Sequence, residues 1–330
     1  MTDQLRDGAG ASEATGKAVD TDVGRPSART LRAESFATRY ARLLAAAERH
    51  GVAPTGLVLP AEGMFAGAGG VALHYLEWPG TAAGDLTLVF LHGGGLHAHT
   101  FDLVGNLLRD KARCISLDLR GHGESEWSRG RYGSEESADD LSAAVTRLGL
   151  KRVIAVGHSM GGIGAIAWAA RRPPELAGLV IVDVGPELSN PTTASINEFI
   201  TSQPSFADLE EVDGHAAGPG PAGDSMAANL RWRDDGRLAF KYDDTQFHPG
   251  NTRLPVGDEM RELARRIACP TQILRGSRSK VLSDAGAAEL AGLIVGATWR
   301  RVEDAGHTIQ SSNPRGLALA ITDFLAGQGG

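Results

Sequence analysis

The chain has 330 residues, of which 42% are hydrophobic and 22% are charged, as is ordinary for a globular protein. A chain of this length can bury a large core without disulfides or metals as supports. The formal net charge of −7 argues against nucleic acid or an anionic membrane surface as the main partner, and no apolar run approaches the ~18 residues needed to span a bilayer.

The N-terminal part predicts a tail followed by a helix. Residues 1–30 contain almost no large apolar side chains, so we expect them to be disordered. They carry early acidic residues and no apolar segment typical of a secretory signal, so we expect a cytoplasmic protein. Residues 31–50 have apolar side chains at helical spacing and end at Gly51. This helix could pack on the body of the protein or on another subunit. A homo-oligomer is therefore one of the alternatives.

Beyond residue 70, apolar runs alternate with segments of helical periodicity. The first run alternates in polarity, as an antiparallel strand near a sheet edge does, and later runs are continuously apolar, as in strands buried on both faces. The predicted strands are 71–78, 86–92, 113–119, 152–158, 176–184, 270–276 and 297–303, and the predicted helices are 100–110, 137–150, 160–172, 284–293 and 314–326. This alternation predicts an α/β fold with a mostly parallel, doubly wound sheet.

The alternation is interrupted at residues 186–260, which contain prolines, the loop-like GHAAGPGPAG and polar helix fragments. We interpret this stretch as a helical cap (lid) inserted into a core formed by 31–185 and 261–330. Its apolar side chains could line an acyl or ring pocket or could form the core of the cap itself. These side chains are Phe199, Phe206, Met226, Leu230, Trp232, Phe240, Tyr242 and Phe247.

Residues 153–165 read VIAVGHSMGGIGA and place Ser159 among glycines. Residues 157–161 match G-x-S-x-G where a predicted strand meets a predicted helix, which is the context that this motif requires. A very tight turn there holds the serine in a strained backbone conformation, with no room for Cβ atoms two residues before and after it. The pattern predicts that Ser159 is a nucleophile.

The segment HGGG, residues 92–95, follows the first continuously apolar strand. Glycines let a backbone N–H approach a reacting oxygen, as in the oxyanion loop of serine hydrolases. We expect the amide of Gly94, or else that of Gly95, to form an oxyanion hole together with the amide of Met160.

His97 and His99 follow at a spacing typical of metal ligands, but no cluster of carboxylates accompanies them, so we expect no metal. We expect His97 and His99 to line or shape the entrance of the pocket, and we predict that His92 and His97 bind the substrate. Trp232 and Phe206 complete the set of predicted substrate-binding residues.

A nucleophilic serine needs a histidine to accept its proton. His307 lies in EDAGHTIQ between the last predicted strand and the last helix, so its loop opens at the same sheet edge as Ser159. His158 adjoins Ser159, but adjacent residues in a sharp turn point apart. His122, in DLRGHGES, lies on a neighbouring loop and is the weaker rival.

Together these motifs resemble the α/β-hydrolase family. The resemblance covers about residues 70–326 and rests on HGGG, DLRGHGES, GHSMG and the GH before the final helix, in this order. It implies an α/β-hydrolase fold with a cap, the order serine, acid and histidine along the chain, and acyl transfer that needs no cofactor.

The sequence departs from the family pattern at the acid. Family members commonly carry it in the loop after the next-to-last strand, where this chain has Lys280. A cation cannot stabilise an imidazolium, and some members take the acid from the end of the preceding strand, so the resemblance favours Asp183. Asp284 is the alternative, although it could instead cap its helix.

We therefore expect a hydrolase that cleaves a small, hydrophobic carboxylic ester or lactone through an acyl-enzyme intermediate. A C–C bond hydrolase or thioesterase on the same scaffold is the alternative. A non-catalytic small-molecule receptor is a third hypothesis, supported only by Lys280. In this family, haloalkane dehalogenases and epoxide hydrolases need an aspartate at the position of Ser159. The serine therefore argues against both of these activities.

Overall fold

The structure is a computed structural model, and it describes residues 36–80, 84–128, 130–187, 198, 200–202, 205–215, 229–248 and 250–327. Its strands are β1 (Ala61–Ala66), β2 (Ala72–Trp78), β3 (Leu86–Leu91), β4 (Arg113–Leu117), β5 (Tyr132–Gly133), β6 (Arg152–His158), β7 (Leu176–Val182), β8 (Leu230–Trp232), β9 (Leu238–Phe240), β10 (Thr252–Arg253), β11 (Thr271–Gly276) and β12 (Thr298–Val302). Its α-helices are α1 (Phe36–Arg49), α2 (Asp102–Leu108), α3 (Ser134–Arg147), α4 (Met160–Ala170), α5 (Leu209–His215), α6 (Asp258–Arg266), α7 (Asp284–Leu293), α8 (Ile309–Ser312) and α9 (Pro314–Ala326).

Eight strands form one sheet in the order β1-β2-β4-β3-β6-β7-β11-β12. The first two are antiparallel to their neighbours, and the other six are parallel. The predicted α/β fold is confirmed, and all seven predicted main strands are present. The sequence reasoning missed β1, an edge strand whose side chains are mostly exposed.

The sheet is buried on both faces because its parallel strands are apolar on both. In β3, Val89 and Leu91 face one core, and Leu88 and Phe90 face the other. Helices α3, α4, α6 and α7 contribute to the first core, and helices α2 and α9 to the second. Among the described residues, no helix combines the length and the apolar character that crossing a membrane requires.

Helix α1 lies within the segment predicted to be helical over 31–50. Leu43 and Ala47 on this helix pack against Leu103 of α2, in a small apolar cluster separate from the main cores. In this structure the helix therefore packs on the body of its own chain. The predicted tail, residues 1–30, lies outside the described residues.

The predicted insertion is described only in parts, which hold α5, the antiparallel pair β8–β9 and the strand β10. Phe206, Leu230, Leu238 and Phe240 pack together there in an apolar cluster of their own. Phe199 and Met226 lie outside the described residues. The predicted boundary at 260/261 falls inside α6, whose Met260 and Ala264 belong to a core of the main sheet.

A buried ion pair ties the loop DLRGHGES to α3. Arg120 Nε and Nη2 donate to the two carboxylate oxygens of Asp140 at 2.7 and 2.8 Å, with both side chains less than a tenth exposed. Asp140 also accepts from the amide of Ala68. The neighbouring Asp139 instead pairs with Arg171 at the surface, with its side chain 52% exposed.

We expect Asp140→Ala to lower the free energy of unfolding by about 3–5 kcal/mol, because it leaves the Arg120 charge buried without its partner. The matched variant Asp139→Ala should cost less than about 1 kcal/mol, since its ion pair is screened by water. Urea unfolding of both variants measures the difference. Equal losses would contradict a special role for the buried pair.

Candidate active site

Ser159 occupies a strained turn between β6 and α4. Its backbone angles are φ 50° and ψ −119°, a conformation that residues other than glycine rarely adopt. Its amide donates to Val182 O in the neighbouring strand, and its carbonyl accepts from Ile163 N in α4. The turn is thus held on both sides, and the serine is presented at the carboxyl edge of the sheet.

The glycines around Ser159 are required by space. A Cβ on Gly157 would lie 2.6 Å from the carbonyl oxygen of Gly161. A Cβ on Gly161 would lie 2.5 Å from the carbonyl oxygens of Leu91 and His92. The chain therefore crosses itself and the end of β3 at distances that no side chain tolerates.

The loop 92–95 lies against this turn. A Cβ on Gly93 would lie 3.2 Å from Ser159 Cβ, and one on Gly94 would lie 3.7 Å from Met160 Sδ. The amides of Gly94 and Met160 donate no hydrogen bond to any residue that the structure describes. Two donors beside the serine are thus left for an incoming oxygen.

Gly95 is in a different situation. Its amide donates to His122 Nε2 at 3.2 Å, while the other ring nitrogen of His122 donates to Arg120 O. Burial lowers the pKa of His122 to about 3, so its ring is neutral at neutral pH, consistent with this pairing. The expectation of Gly95 as the second choice is disfavoured because its amide is engaged, and His122 is the partner of the loop rather than of Ser159.

His307 lies between Ser159 and Asp183. Its Nε2 is 3.2 Å from Ser159 Oγ, and its Nδ1 is 2.7 Å from Asp183 Oδ2. The imidazole side chain is 21% exposed, whereas the carboxylate is fully buried. A buried carboxylate on Nδ1 fixes the tautomer in which Nε2 has its lone pair toward the hydroxyl, so the geometry suits proton transfer from Ser159.

The Asp183 carboxylate also has partners at the end of β11 and in the loop after it. Gly276 N donates to Oδ1 at 2.9 Å, and Ser279 Oγ donates to Oδ2. Lys280, at the position where the family commonly has its acid, is exposed. The loop that lacks an acid thus supplies hydrogen-bond donors to a carboxylate on the neighbouring strand.

Asp284, the alternative acid, points elsewhere. It lies in the first turn of α7 and forms a two-pronged ion pair with Arg301, with Arg275 also 3.3 Å away. The hydrogen bonds from Arg301 hold the pKa of the Asp284 carboxyl below its usual range. The structure brings Asp183, and not Asp284, to His307.

His158 points away from Ser159 and contacts the loop that bears His307. Its Nε2 is 3.0 Å from His307 O, and its Nδ1 is 3.1 Å from Gln310 Nε2. The rings of His158 and His307 are 4.7 Å apart. Sequence reasoning did not find Gln310, because its partner lies on a distant strand and no motif marks it.

Two of the predicted substrate-binding residues are interior. His92 is fully buried, with Nδ1 bonded to Gly93 O and Nε2 accepting from Leu119 N. Phe206 is 2% exposed and pairs with Leu238 in the apolar cluster of the insertion. These placements correct our expectation that both side chains contact the substrate: one braces two loops, and the other forms the core of the insertion.

Trp232 and His97, the other two predicted substrate-binding residues, lie in separate places. Trp232, at the end of β8, is 40% exposed. His97 lines a cavity of about 460 Å³ between α1 and the 310–314 segment, together with His99 and Gln310. Ser159 and His307 do not line this cavity, so it is distinct from the space above the serine.

Phe247 and Ile200, both from the insertion, lie beside the loop 92–95. The Phe247 ring is 3.4 Å from the position of a Cβ on Gly94, and the Ile200 side chain is 3.4 Å from that of a Cβ on Gly95. Phe247 belongs to the predicted aromatic set, whereas Ile200 was missed because an isolated aliphatic residue carries no signal. The insertion therefore brings apolar side chains to the predicted oxyanion loop.

Comparison with known proteins agrees with this architecture. The model of the alpha/beta hydrolase fold family matches residues 87–314. An esterase of Mycobacterium tuberculosis is 32% identical over 274 residues, which are 77% of this chain and 86% of the relative. A 2-(acetamidomethylene)succinate hydrolase of Mesorhizobium japonicum is 25% identical over 246 residues, which are 72% of this chain and 87% of the relative.

Solved structures show the same relationship. An α/β hydrolase of Novosphingobium aromaticivorans is similar with a TM-score of 0.70 and 25% identity, covering 82% of this chain and 99% of that one. The structure of the M. tuberculosis esterase is similar with a TM-score of 0.69 and 27% identity, covering 87% of this chain and 98% of that one. With a family model that spans most of its length and a relative above 30% identity, this chain belongs to the α/β-hydrolase fold family.

Proposed function

We propose that this hydrolase cleaves carboxylic esters or lactones with Ser159 as nucleophile, His307 as general base and Asp183 as the acid of the triad. The observation that carries the proposal is the position of His307, within hydrogen-bond distance of both the hydroxyl and the carboxylate. A strained serine, a base and an orienting carboxylate at one sheet edge are what nucleophilic acyl transfer requires.

In the proposed reaction, Ser159 Oγ attacks the ester carbonyl carbon while its proton passes to His307 Nε2. The amides of Gly94 and Met160 donate to the developing oxyanion, and Asp183 stabilises the imidazolium. His307 then protonates the leaving alkoxide, and the alcohol departs. A water molecule, deprotonated by the same imidazole, attacks the acyl-enzyme and releases the carboxylic acid. These steps use the side chains and amides of this chain.

We further propose that the insertion, residues 186–260, caps the site and sets its preference for hydrophobic acyl groups. Phe247 and Ile200 adjoin the glycine loop, and Met160 supplies its thioether at the same place. Apolar surface beside the oxyanion position favours uncharged, apolar substituents on the carbonyl carbon. The M. tuberculosis relative, named an esterase, supports ester cleavage.

The substrate class can be tested with a panel of esters, lactones, thioesters and β-diketones. The hydrolase of 2-(acetamidomethylene)succinate among the relatives makes such a panel necessary. We expect p-nitrophenyl butyrate and small lactones to be turned over with higher kcat/KM than β-diketones. A preference for β-diketones would replace ester cleavage by C–C bond cleavage on the same triad.

We expect Ser159→Ala to lower kcat for p-nitrophenyl butyrate by at least about a thousandfold, because the nucleophile is removed. Ser142→Ala, which removes a hydroxyl that bonds to Trp168 on the helical layer, is the control and should keep the parent rate. Release of p-nitrophenol measures both. Activity that survives Ser159→Ala would refute the mechanism.

We expect Asp183→Asn to lower kcat by about ten-thousandfold, because an amide cannot hold the imidazole in the required tautomer or stabilise its cation. Asp284→Asn should change kcat less than about threefold, since it alters an exposed ion pair. Steady-state kinetics of the two variants distinguish the carboxylates. The opposite ranking would assign the acid to Asp284.

A further inference from the structure

His158 is a buried polar side chain that the proposed triad does not use. It is 1% exposed and precedes the nucleophile directly, yet its ring contacts the backbone of the general base. Gln310 is buried as well, with 2% of its surface exposed, and forms a hydrogen bond to the opposite side of the same ring. Buried polar groups are retained at such positions when their hydrogen bonds specify one arrangement of the chain.

We propose that His158 and Gln310 are positioning residues, which hold the loop of His307 against the turn of Ser159 and thereby set the distance between base and nucleophile. This inference rests on the function proposed above. It adds two residues that contact neither substrate nor reacting atoms.

The protons in this chain of hydrogen bonds follow from the acceptors. The carbonyl oxygen of His307 can only accept, so His158 Nε2 must carry the proton and donate to it. In a neutral ring Nδ1 then has the lone pair, and Gln310 Nε2 donates to it. Because Nδ1 accepts, the Gln310 amide is the donor in this contact. Gln310 Oε1 has no hydrogen-bond partner among the described residues.

The position of the contact explains its effect on the base. The same His307 carbonyl also accepts from Ile309 N at the start of α8, so it is fixed from two directions. Because His158 and Ser159 are adjacent, the bond ties the backbone of the base to the turn that presents the nucleophile. A misplacement of about 1 Å at a reacting pair can cost about a hundredfold in rate.

The charge of His158 matters as well. Its ring centre is 4.7 Å from that of His307, so a cation on His158 would oppose the imidazolium that His307 forms during acyl transfer. Burial, with His307 and His92 nearby, lowers the pKa of His158 well below its usual range. The Gln310 N–H, which points at the Nδ1 lone pair, also occupies the position where a second proton would bind.

Kinetics of matched variants test the proposal. We expect His158→Met, which keeps bulk but removes the donor, to lower kcat about a hundredfold with KM within about threefold. His158→Gln retains an N–H that can reach the His307 carbonyl and should recover most of that loss. Gln310→Met should lower kcat about tenfold, as expected for the loss of one neutral hydrogen bond.

The control is Gln272→Met in β11, another buried glutamine that lies outside the base loop, and it should keep the parent kcat. Thermal unfolding identifies variants that fail to fold. If the parent is active, the activity depends on Ser159, and folded His158→Met and Gln310→Met keep parental kcat, the positioning proposal is overturned. If the parent does not cleave esters, or if Ser159→Ala does, the proposed function fails instead.

A spectroscopic measurement tests the tautomer of His158 without any substrate. Proton–nitrogen correlation NMR of the imidazole rings should show His158 as the neutral tautomer protonated at Nε2 at neutral pH. Gln310→Met should change the His158 Nδ1 signal. A ring protonated at Nδ1, alone or together with Nε2, would contradict the assignment even if the kinetic variants are misfolded.

Discussion

The hydrogen bonds to the buried carboxylate of Asp183 determine how the site is arranged. Asp183 is removed from water, so its charge must be met by hydrogen-bond donors, and it accepts from Gly276 N, Ser279 Oγ and His307 Nδ1. These donors come from the last residue of β11, the loop after it and the loop after β12. This one carboxylate therefore connects the end of β7, the end of β11 and the loop of His307. Losing any donor would leave part of a buried charge unsatisfied.

These hydrogen bonds explain how the chain can have Lys280 at the position where the family commonly has its acid. Strands β7 and β11 are neighbours in the sheet, so a carboxylate at the end of either can reach an imidazole above their shared edge. With Asp183 as the proposed acid directly after β7, the end of β11 and the loop after it serve as the source of donors, which Gly276 and Ser279 supply. A Cβ on Gly276 would lie 2.2 Å from Gly306 O, so this glycine also lets the loop of the base pass directly over it.

The parallel strands and the order of the motifs were predictable because runs that are apolar on both faces, ended by glycine-rich turns, have few alternative interpretations. Strand β1 was not predictable, because its side chains are mostly exposed and its apolar and polar residues alternate only weakly. Ser159 and His307 could be proposed as nucleophile and base from local pattern alone. His92 faces the interior because its Nε2 accepts from Leu119 N, a residue 27 positions away in the sequence. The roles of Ser279 and Gln310 likewise depend on partners that are distant in the sequence. Periodicity does not carry such information.

Ser159 and Asp183, the proposed nucleophile and acid, are presented by similar backbone features. Ser159 follows β6 and Asp183 follows β7, each has a positive φ, and each donates its amide to the next strand, to Val182 O and Leu274 O respectively. The sheet ladder therefore continues one residue beyond each strand before the chain turns sharply and lifts the side chain above the edge. Such a conformation costs about 1–3 kcal/mol per residue and persists only where surrounding structure over-determines it. Asp304, two residues after β12 and before His307, also has a positive φ. Of the four non-glycine residues with a positive φ in the described part of the chain, Ser159, Asp183 and Asp304 lie just after strands at this edge, and Arg172 lies elsewhere. Most of this backbone strain is therefore found where the chain brings Ser159, Asp183 and His307 together, and the two apolar cores of the sheet offset it.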